Sequence, residues 1–342
     1  MEMKPGLFRG GRPSAMRAAR LVAPLAAVLA LGSCQVLEFI FGSVFPATIG
    51  LAKAQADLSG TIDSNGAGSF QVRVVQSGSN GYVIVIGSPN GTATTAYVYD
   101  QDLSLKTTLT GLSSGGVLVD ASGNIVISGT SYSPANLATV GPVGSNLYAY
   151  NSGGVDGLSG TAGAQVVNFS ITSGTTLDYW TGNSASTPWS LSGPTSVTFS
   201  GGPSSLALDG VFDDGNASGN GIFVVSEPIS GGNNDSTAAC YLLTIAKSAF
   251  PAGSVNGAIL GTAPSLDNIE PECVGYAQGS LFLFDGKAQR FLKVDPVTGS
   301  VQKSFYSGSS MSNTRLGYLP NGGYFYGFDT KTRVLTKYAA WW

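Results

Sequence analysis

Histidine is absent from all 342 residues. Without it there is no Ser-His-Asp triad, no Cys-His nucleophile, no His-ligated zinc and no His-ligated haem. Any catalysis would fall to carboxylates, Lys, Tyr or a bound ion. Charge is scarce as well. Charged residues are 11% of the chain, against about 25% in an average globular protein. Lys and Arg are missing altogether between Lys106 and Lys247, a stretch that carries eight acids: Asp120, Asp156, Asp178, Asp209, Asp213, Asp214, Glu227 and Asp235. Beyond Cys34 there are 12 basic residues against 19 acidic ones. A nucleic-acid partner needs a basic face to release phosphate counterions, and this balance excludes one. Cysteine is limited to Cys34, Cys240 and Cys273.

What is abundant is glycine, 48 residues, within a chain that is 43% hydrophobic. Each interior Gly costs a helix about 1 kcal/mol relative to Ala, whereas tight turns between strands need it. The composition therefore points to an all-β protein with a substantial core.

The N-terminus is a separate segment. Leu21–Leu31 is an apolar run of 11 residues preceded by Arg17 and Arg20, the length of a signal-peptide core and too short for a spanning helix of about 20 residues. It ends in Leu31-Gly32-Ser33-Cys34, which resembles the lipobox of bacterial lipoproteins. The small residues let a peptidase reach the scissile bond, and only a thiol can carry a thioether-linked diacylglyceryl group. The resemblance implies a signal peptide over 1–33, cleavage and lipidation at Cys34, and a membrane partner reached through the lipid. It also implies the cell envelope, with outer-membrane sorting favoured by Gln35 rather than Asp after the cysteine. Met16 would open a more compact signal, Met-Arg-Ala-Ala-Arg. The competing reading, an uncleaved anchor extended through the apolar residues of Gln35–Ala52, meets Glu38 and Pro46; a mid-span carboxylate costs about 2.5–3.5 kcal/mol. With Cys34 lipidated, Cys240 and Cys273 remain as a pair in an oxidising compartment and are expected to form a disulfide; the alternative is two buried thiols.

Residues 34–57 read as a linker containing a short helix over Ser43–Asp57, from Ala47, Leu51, Ala52, Ala54 and Gln55 with Pro46 in the first turn. From Leu58 onward short segments rich in Val, Ile, Tyr and Phe alternate with Gly/Asn turns. Several, such as Tyr82–Gly87 and Leu281–Asp285, are almost continuously apolar, as strands buried on both faces are. Asp100, Asp295 and Asp329 each end a strand, where a carboxylate can accept N–H bonds of the following turn. Segments that follow similar turns begin near Tyr82, Ile125, Ile222, Leu281 and Tyr324. Steps of about 43 residues separate the first two and the last two, and the gap from Ile125 to Ile222 fits two units of about 48, the spacing of four-stranded propeller blades. A pair of sandwiches or a solenoid would also use such strands. Phe284–Val301, and its echo at Tyr326–Leu335, resembles the blade motif of the NHL, YVTN and quinoprotein-like propellers, without a WD dipeptide or a regular Trp docking motif. The resemblance implies a β-propeller over 58–342 with six four-stranded blades, the last closed by Leu58–Asp63.

Two stretches are candidate sites. Asp213, Asp214, Asn216 and Ser218 place oxygen donors at calcium-loop spacing, although Val225 stands where an EF-hand needs a closing carboxylate; Ca2+ is the cofactor they would admit, and a solvated hairpin is the plainer reading. Tyr179, Trp180 and Trp189 lie among small polar residues and would suit a glycan or peptide platform, or ordinary packing between blades. No catalytic pair stands out. The resulting expectation is a lipid-anchored envelope protein whose propeller binds a protein or glycan without catalysis. Its rivals are a metal-dependent propeller enzyme of lactonase or sugar-lyase type and an outer-membrane assembly scaffold.

Overall fold

The structure is a computed structural model. It describes residues 52–88, 94–112, 116–120, 122–143, 165–173, 176–183, 190–198, 207–213, 220–226, 240–246, 258–260, 269, 271–307, 310–319 and 323–339. The described strands lie within the unit Thr48–Trp342.

Six antiparallel sheets follow one another along the chain as the blades of a β-propeller. Blade 1 comprises β2 (Gln71–Ser77), β3 (Asn80–Gly87), β4 (Thr94–Asp100) and β5 (Leu105–Leu112). Blade 2 comprises β6 (Val117–Val119), β7 (Ile125–Ile127), β8 (Thr130–Tyr132) and β9 (Thr139–Pro142). Blade 3 has β10 (Gln165–Ser173), β11 (Thr176–Asn183) and β12 (Ser190–Thr198). Blade 4 has β13 (Ala207–Asp213), β14 (Asn220–Ser226), β15 (Cys240–Ala246) and β16 (Ala258–Leu260). Blade 5 has β17 (Pro271–Ala277), β18 (Ser280–Asp285), β19 (Arg290–Val294) and β20 (Val301–Tyr306). Blade 6 has β21 (Thr314–Leu319), β22 (Tyr324–Asp329) and β23 (Val334–Ala339), completed on its outer edge by β1 (Ala52–Asp57). The first strand of each blade is innermost: β10 touches β13, β13 touches β17, β17 touches β21, β21 touches β2 and β2 touches β6.

Two expectations are corrected. Ala52–Asp57 is a strand paired with β23, from Ala52 opposite Tyr338 to Asp57 opposite Val334, and not the end of a helix. The pairing of its N–H and C=O groups with a sheet edge overrides the helix preference of Ala and Gln. The ring is therefore closed six residues earlier than Leu58–Asp63, and the propeller starts at Ala52 rather than Leu58. Blade 3 shows three strands among the described residues.

The apolar runs are explained by what each face meets. In β3, Val83 and Val85 pack toward blade 6 with Phe70, Phe328 and Leu335, while Ile84 and Ile86 pack toward blade 2 with Ile125 and Ile127. In β18, Leu281 and Leu283 join Val224 and Leu242 of blade 4, and Phe282 and Phe284 join Tyr318 and Phe325 of blade 6. The core thus lies between blades, and each large side chain buried there contributes about 1.5–3 kcal/mol. Close approach of the inner strands needs glycine: a Cβ on Gly317 would sit 2.6 Å from Val74 Cγ2, and one on Gly275 would overlap Tyr318.

The propeller has two faces. One carries the turns between first and second and between third and fourth strands. The other carries the second-to-third turns and the connections that lead from one blade into the next inner strand.

Candidate functional site

Five carboxylates of the described blades are engaged by their own turns. Asp100 accepts the N–H groups of Asp102 (3.0 Å) and Ser104 (2.9 Å), Asp295 those of Val297 (2.8 Å) and Thr298 (3.0 Å), and Asp329 those of Lys331 (2.7 Å) and Thr332 (3.0 Å). Asp120 does the same for Ser122 and Asn124. Fully buried Asp285 accepts from the N–H groups of Lys287 and Ala288 and from Arg290 Nε at 3.0 Å. The turn role read for Asp100, Asp295 and Asp329 is what the geometry shows. Burial raises the Asp100 carboxyl, but Lys106 Nζ at 2.7 Å and the two turn N–H groups outweigh it and hold the group below its ordinary value. Asp295 is held low chiefly by the Thr298 and Val297 N–H groups.

A polar cluster joins blades 6 and 1. The Tyr326 hydroxyl, fully buried, donates to the Gln101 carbonyl at 2.8 Å. Burial pushes its ionisation far upward, so it acts as a neutral donor. Lys337, 7% exposed, donates from Nζ to Asp102 Oδ1 at 2.9 Å and stands 4.1 Å over the Tyr324 ring. Gln101 and Asp102 lie in the turn between β4 and β5. The ammonium is thus satisfied by a carboxylate and a π face at once. A similar bond joins blades 1 and 2, where Tyr82 donates its hydroxyl to Pro134 O at 2.8 Å. Tyr82 and Tyr326 are each the third residue of their blade's second strand.

The inner strands carry a second polar feature. Arg73 on β2 lies opposite Ile84, and Arg315 on β21 lies opposite Phe328. Ile84 and Phe328 are each the fifth residue of the second strand of their blade, so the two arginines hold equivalent positions in neighbouring blades. Both are half-buried, and both are near the start of an inner strand, toward the face with the inter-blade connections. Their mark in the sequence is a single Arg among apolar strand residues, in Gln-Val-Arg73-Val-Val and Thr-Arg315-Leu-Gly-Tyr.

The sequence-derived candidates are distributed elsewhere. Asp213 ends β13 opposite Gly221; Asp214, Asn216 and Ser218 lie outside the described residues. Tyr179 and Trp180 occupy consecutive positions in β11, opposite Phe169 and Asn168 of β10, with a bulge in β12 beside Trp180; Trp189 lies outside the described residues, as does Cys34. Cys240 is buried at the start of β15, packed with Leu281 and Leu283. Cys273 sits on β17 of the next blade, opposite Phe284. No disulfide is found among the described residues. Nor, among them, does any group of three or more carboxylates and cysteines cluster in a way that would hold a metal ion.

No protein-family model and no curated protein matches the chain. Among solved structures it is similar to the glutaminyl cyclase of Myxococcus xanthus, at 10% identity over 86% of this chain and 97% of that one with a TM-score of 0.36. It is also similar to a chain of a nidogen/laminin complex, at 10% identity over 69% and 80% with a TM-score of 0.40. Neither likeness assigns an activity.

Proposed function

We propose that the chain is a bacterial lipoprotein of the cell envelope, cleaved and lipidated at Cys34, whose propeller binds a protein or glycan partner without catalysing a reaction. The observation that carries the binding reading is the use made of the carboxylates. Asp100, Asp120, Asp285, Asp295 and Asp329 each fasten a turn by accepting its N–H groups. Acids committed in this way hold the loops of a recognition surface in shape. On this reading the loop from Asp213 is a solvated hairpin, and Tyr179, Trp180 and Trp189 offer contact area to the partner. The outer membrane is the favoured location, and in that oxidising setting Cys240 and Cys273 would be joined.

Three measurements test the proposal. Radiolabelled palmitate fed to the native host is incorporated into the wild-type chain and not into Cys34→Ser. Affinity capture from native envelope with the tagged full-length chain recovers a defined protein or glycan. Thiol titration under denaturing, non-reducing conditions finds no reactive pair. A hydrolytic or lyase activity that requires a divalent cation would replace the binding reading with the enzyme one.

A further inference from the structure

We infer that one face of the propeller, along the arc of blades 5, 6, 1 and 2, lies against a lipid bilayer and touches it through Val297, Leu105 and Val140. The inference rests on the lipid anchor proposed above and adds which side of the domain meets the membrane.

Strand direction fixes the end of the blade at which each residue lies. The first and third strands run toward the face that carries the first-to-second and third-to-fourth turns, and the second and fourth run away from it. β1 is the fourth strand of blade 6, so it begins on that face, with Ala52 opposite Tyr338. β23 ends there too, at Ala339. The chain thus enters the propeller from Cys34 and leaves β23 at one place on one face. The 17 residues between Cys34 and Ala52 include Phe39, Ile40, Phe41 and Phe45, and Trp341 and Trp342 follow Ala339 in the sequence. Fully extended, such a tether spans at most about 60 Å, enough for either face to meet the membrane. The exposed side chains decide between them.

Among the described residues the exposed large apolar side chains are Val297 at 72%, Val140 at 57%, Leu105 at 54% and Tyr306 at 47%. Isolated exposed apolar residues are ordinary on any protein; the first three are not scattered. Val297 is in the turn between β19 and β20, Leu105 is the first residue of β5 and Val140 the second of β9. All three therefore lie on the chain-entry face, on the outer rim where a third strand passes into a fourth. Their blades flank blade 6 without a gap, because β17 touches β21, β21 touches β2 and β2 touches β6. Tyr306, the last residue of β20, lies at the opposite end of its blade.

Charge divides the two faces in the same sense. On the chain-entry side of these blades Asp100 pairs with Lys106 and Asp102 with Lys337. Asp120 is buried there, and Asp295 is held by the N–H groups of Val297 and Thr298. The opposite face puts Asp57, Asp63, Lys287 and Lys331 into solvent. A rim of apolar side chains with its charges matched in pairs suits the headgroup boundary, where tryptophan also partitions. A single acyl chain anchors only reversibly, and apolar area buried beside it strengthens the attachment. The face with the inter-blade connections is then the one turned toward the protein or glycan partner.

The test uses the full-length protein, processed in its host and reconstituted into vesicles of phosphatidylethanolamine and phosphatidylglycerol that contain a doxyl-labelled lipid as quencher. Val297→Cys, Leu105→Cys and Val140→Cys on the rim, and Tyr306→Cys on the opposite face, each receive a bimane fluorophore. The wild type treated alike reports any labelling of Cys240 or Cys273. All four positions are exposed, so the substitutions leave the core intact, and far-UV dichroism verifies the fold. The lipid quencher should dim the rim labels severalfold more than the Tyr306 label, and aqueous iodide should do the reverse. Palmitate incorporation into the same preparations separates two failures. A chain that takes up no palmitate loses the anchor, and this inference with it. A palmitoylated chain whose rim labels are quenched by lipid no more than the Tyr306 label overturns this inference alone. Rim labels shielded from iodide yet untouched by the lipid quencher overturn it as well, since a protein rather than a bilayer would then cover the rim.

Discussion

Two junctions of the same ring are built from different materials. Between blades 5 and 6 the contact is aromatic: Phe282 stacks on Tyr318 at 4.6 Å, Phe291 meets Phe325 edge-on at 4.4 Å and Phe284 lies 4.7 Å from Phe291. Between blades 6 and 1, where the end of the propeller meets its beginning, the apolar cluster is crossed by directional bonds: Tyr326 to Gln101, Lys337 to Asp102 and Arg333 to Ser59 and Ile62. The third residue of the second strand marks the contrast. It is a tyrosine that reaches the next blade in blades 6 and 1, and it is Phe282, with no hydroxyl, in blade 5. Area burial holds neighbours that the chain already places side by side. The closing junction joins segments far apart in sequence, and its polar bonds fix which pieces meet and in what register.

The comparison can be broken from either side. Phe291→Ala, which empties the middle of the aromatic junction, should cost about 3–5 kcal/mol with no dependence on salt; denaturant unfolding at low and high ionic strength measures both. Gly275→Ala should cost roughly 1–3 kcal/mol, because the new Cβ overlaps the Tyr318 ring near its base, and Tyr318→Ala in the same chain should relieve that clash. Asp102→Ala should cost about 1–2 kcal/mol, less than the loss of one partner from a fully buried pair because water reaches Asp102, and the loss should shrink in 1 M salt. An equal loss at both salt concentrations would remove the distinction between the junctions. Tyr326→Phe deletes one buried hydrogen bond and should cost about 1 kcal/mol, comparable to Tyr82→Phe at the next junction.

The smallest effect is acid sensitivity. Asp295 is held below its ordinary value by the N–H groups of Thr298 and Val297. A carboxyl lowered in the folded state stabilises it above the unfolded value of about 3.9, and that contribution is lost as the pH falls through the folded value. Melting temperature should therefore drop below about pH 4. Asp295→Asn, which keeps an acceptor but not the charge, should lose a small part of the stability at pH 7 and match the wild type once both are acidified, so that its drop is flatter by that amount.

Much of the blade pattern is legible in the sequence, because strands buried on both faces read as apolar runs and the turn aspartates recur at fixed places. Phe284–Val301 runs from the end of β18 through β19 and the turn on Asp295 to the start of β20. What escapes is the pairing of distant segments. Ala52-Lys-Ala-Gln-Ala-Asp57 is made of helix formers, yet it alternates with period two, and its burial alternates likewise. That signal is weak until β23 is known to need a partner. The junction cluster is hidden for the same reason: nothing local to Lys337 announces Asp102, 235 residues away. Arg73 and Arg315 are conspicuous only once the strands carrying them are known to be innermost.

The pairing of β1 with β23 has a consequence for the order of events during synthesis. Gln55 bonds to Thr336, 281 residues later, so the first strand of the propeller emerges from the ribosome long before the hairpin it completes. Contacts this distant are slow to form. Blades 1, 2, 4 and 5 each draw all four strands from one stretch of chain and can assemble as they appear, whereas blade 6 must wait for its oldest piece. Until then β1 is a free ribbon with open hydrogen-bonding groups, and a chain released before residue 334 would leave it without a sheet to join.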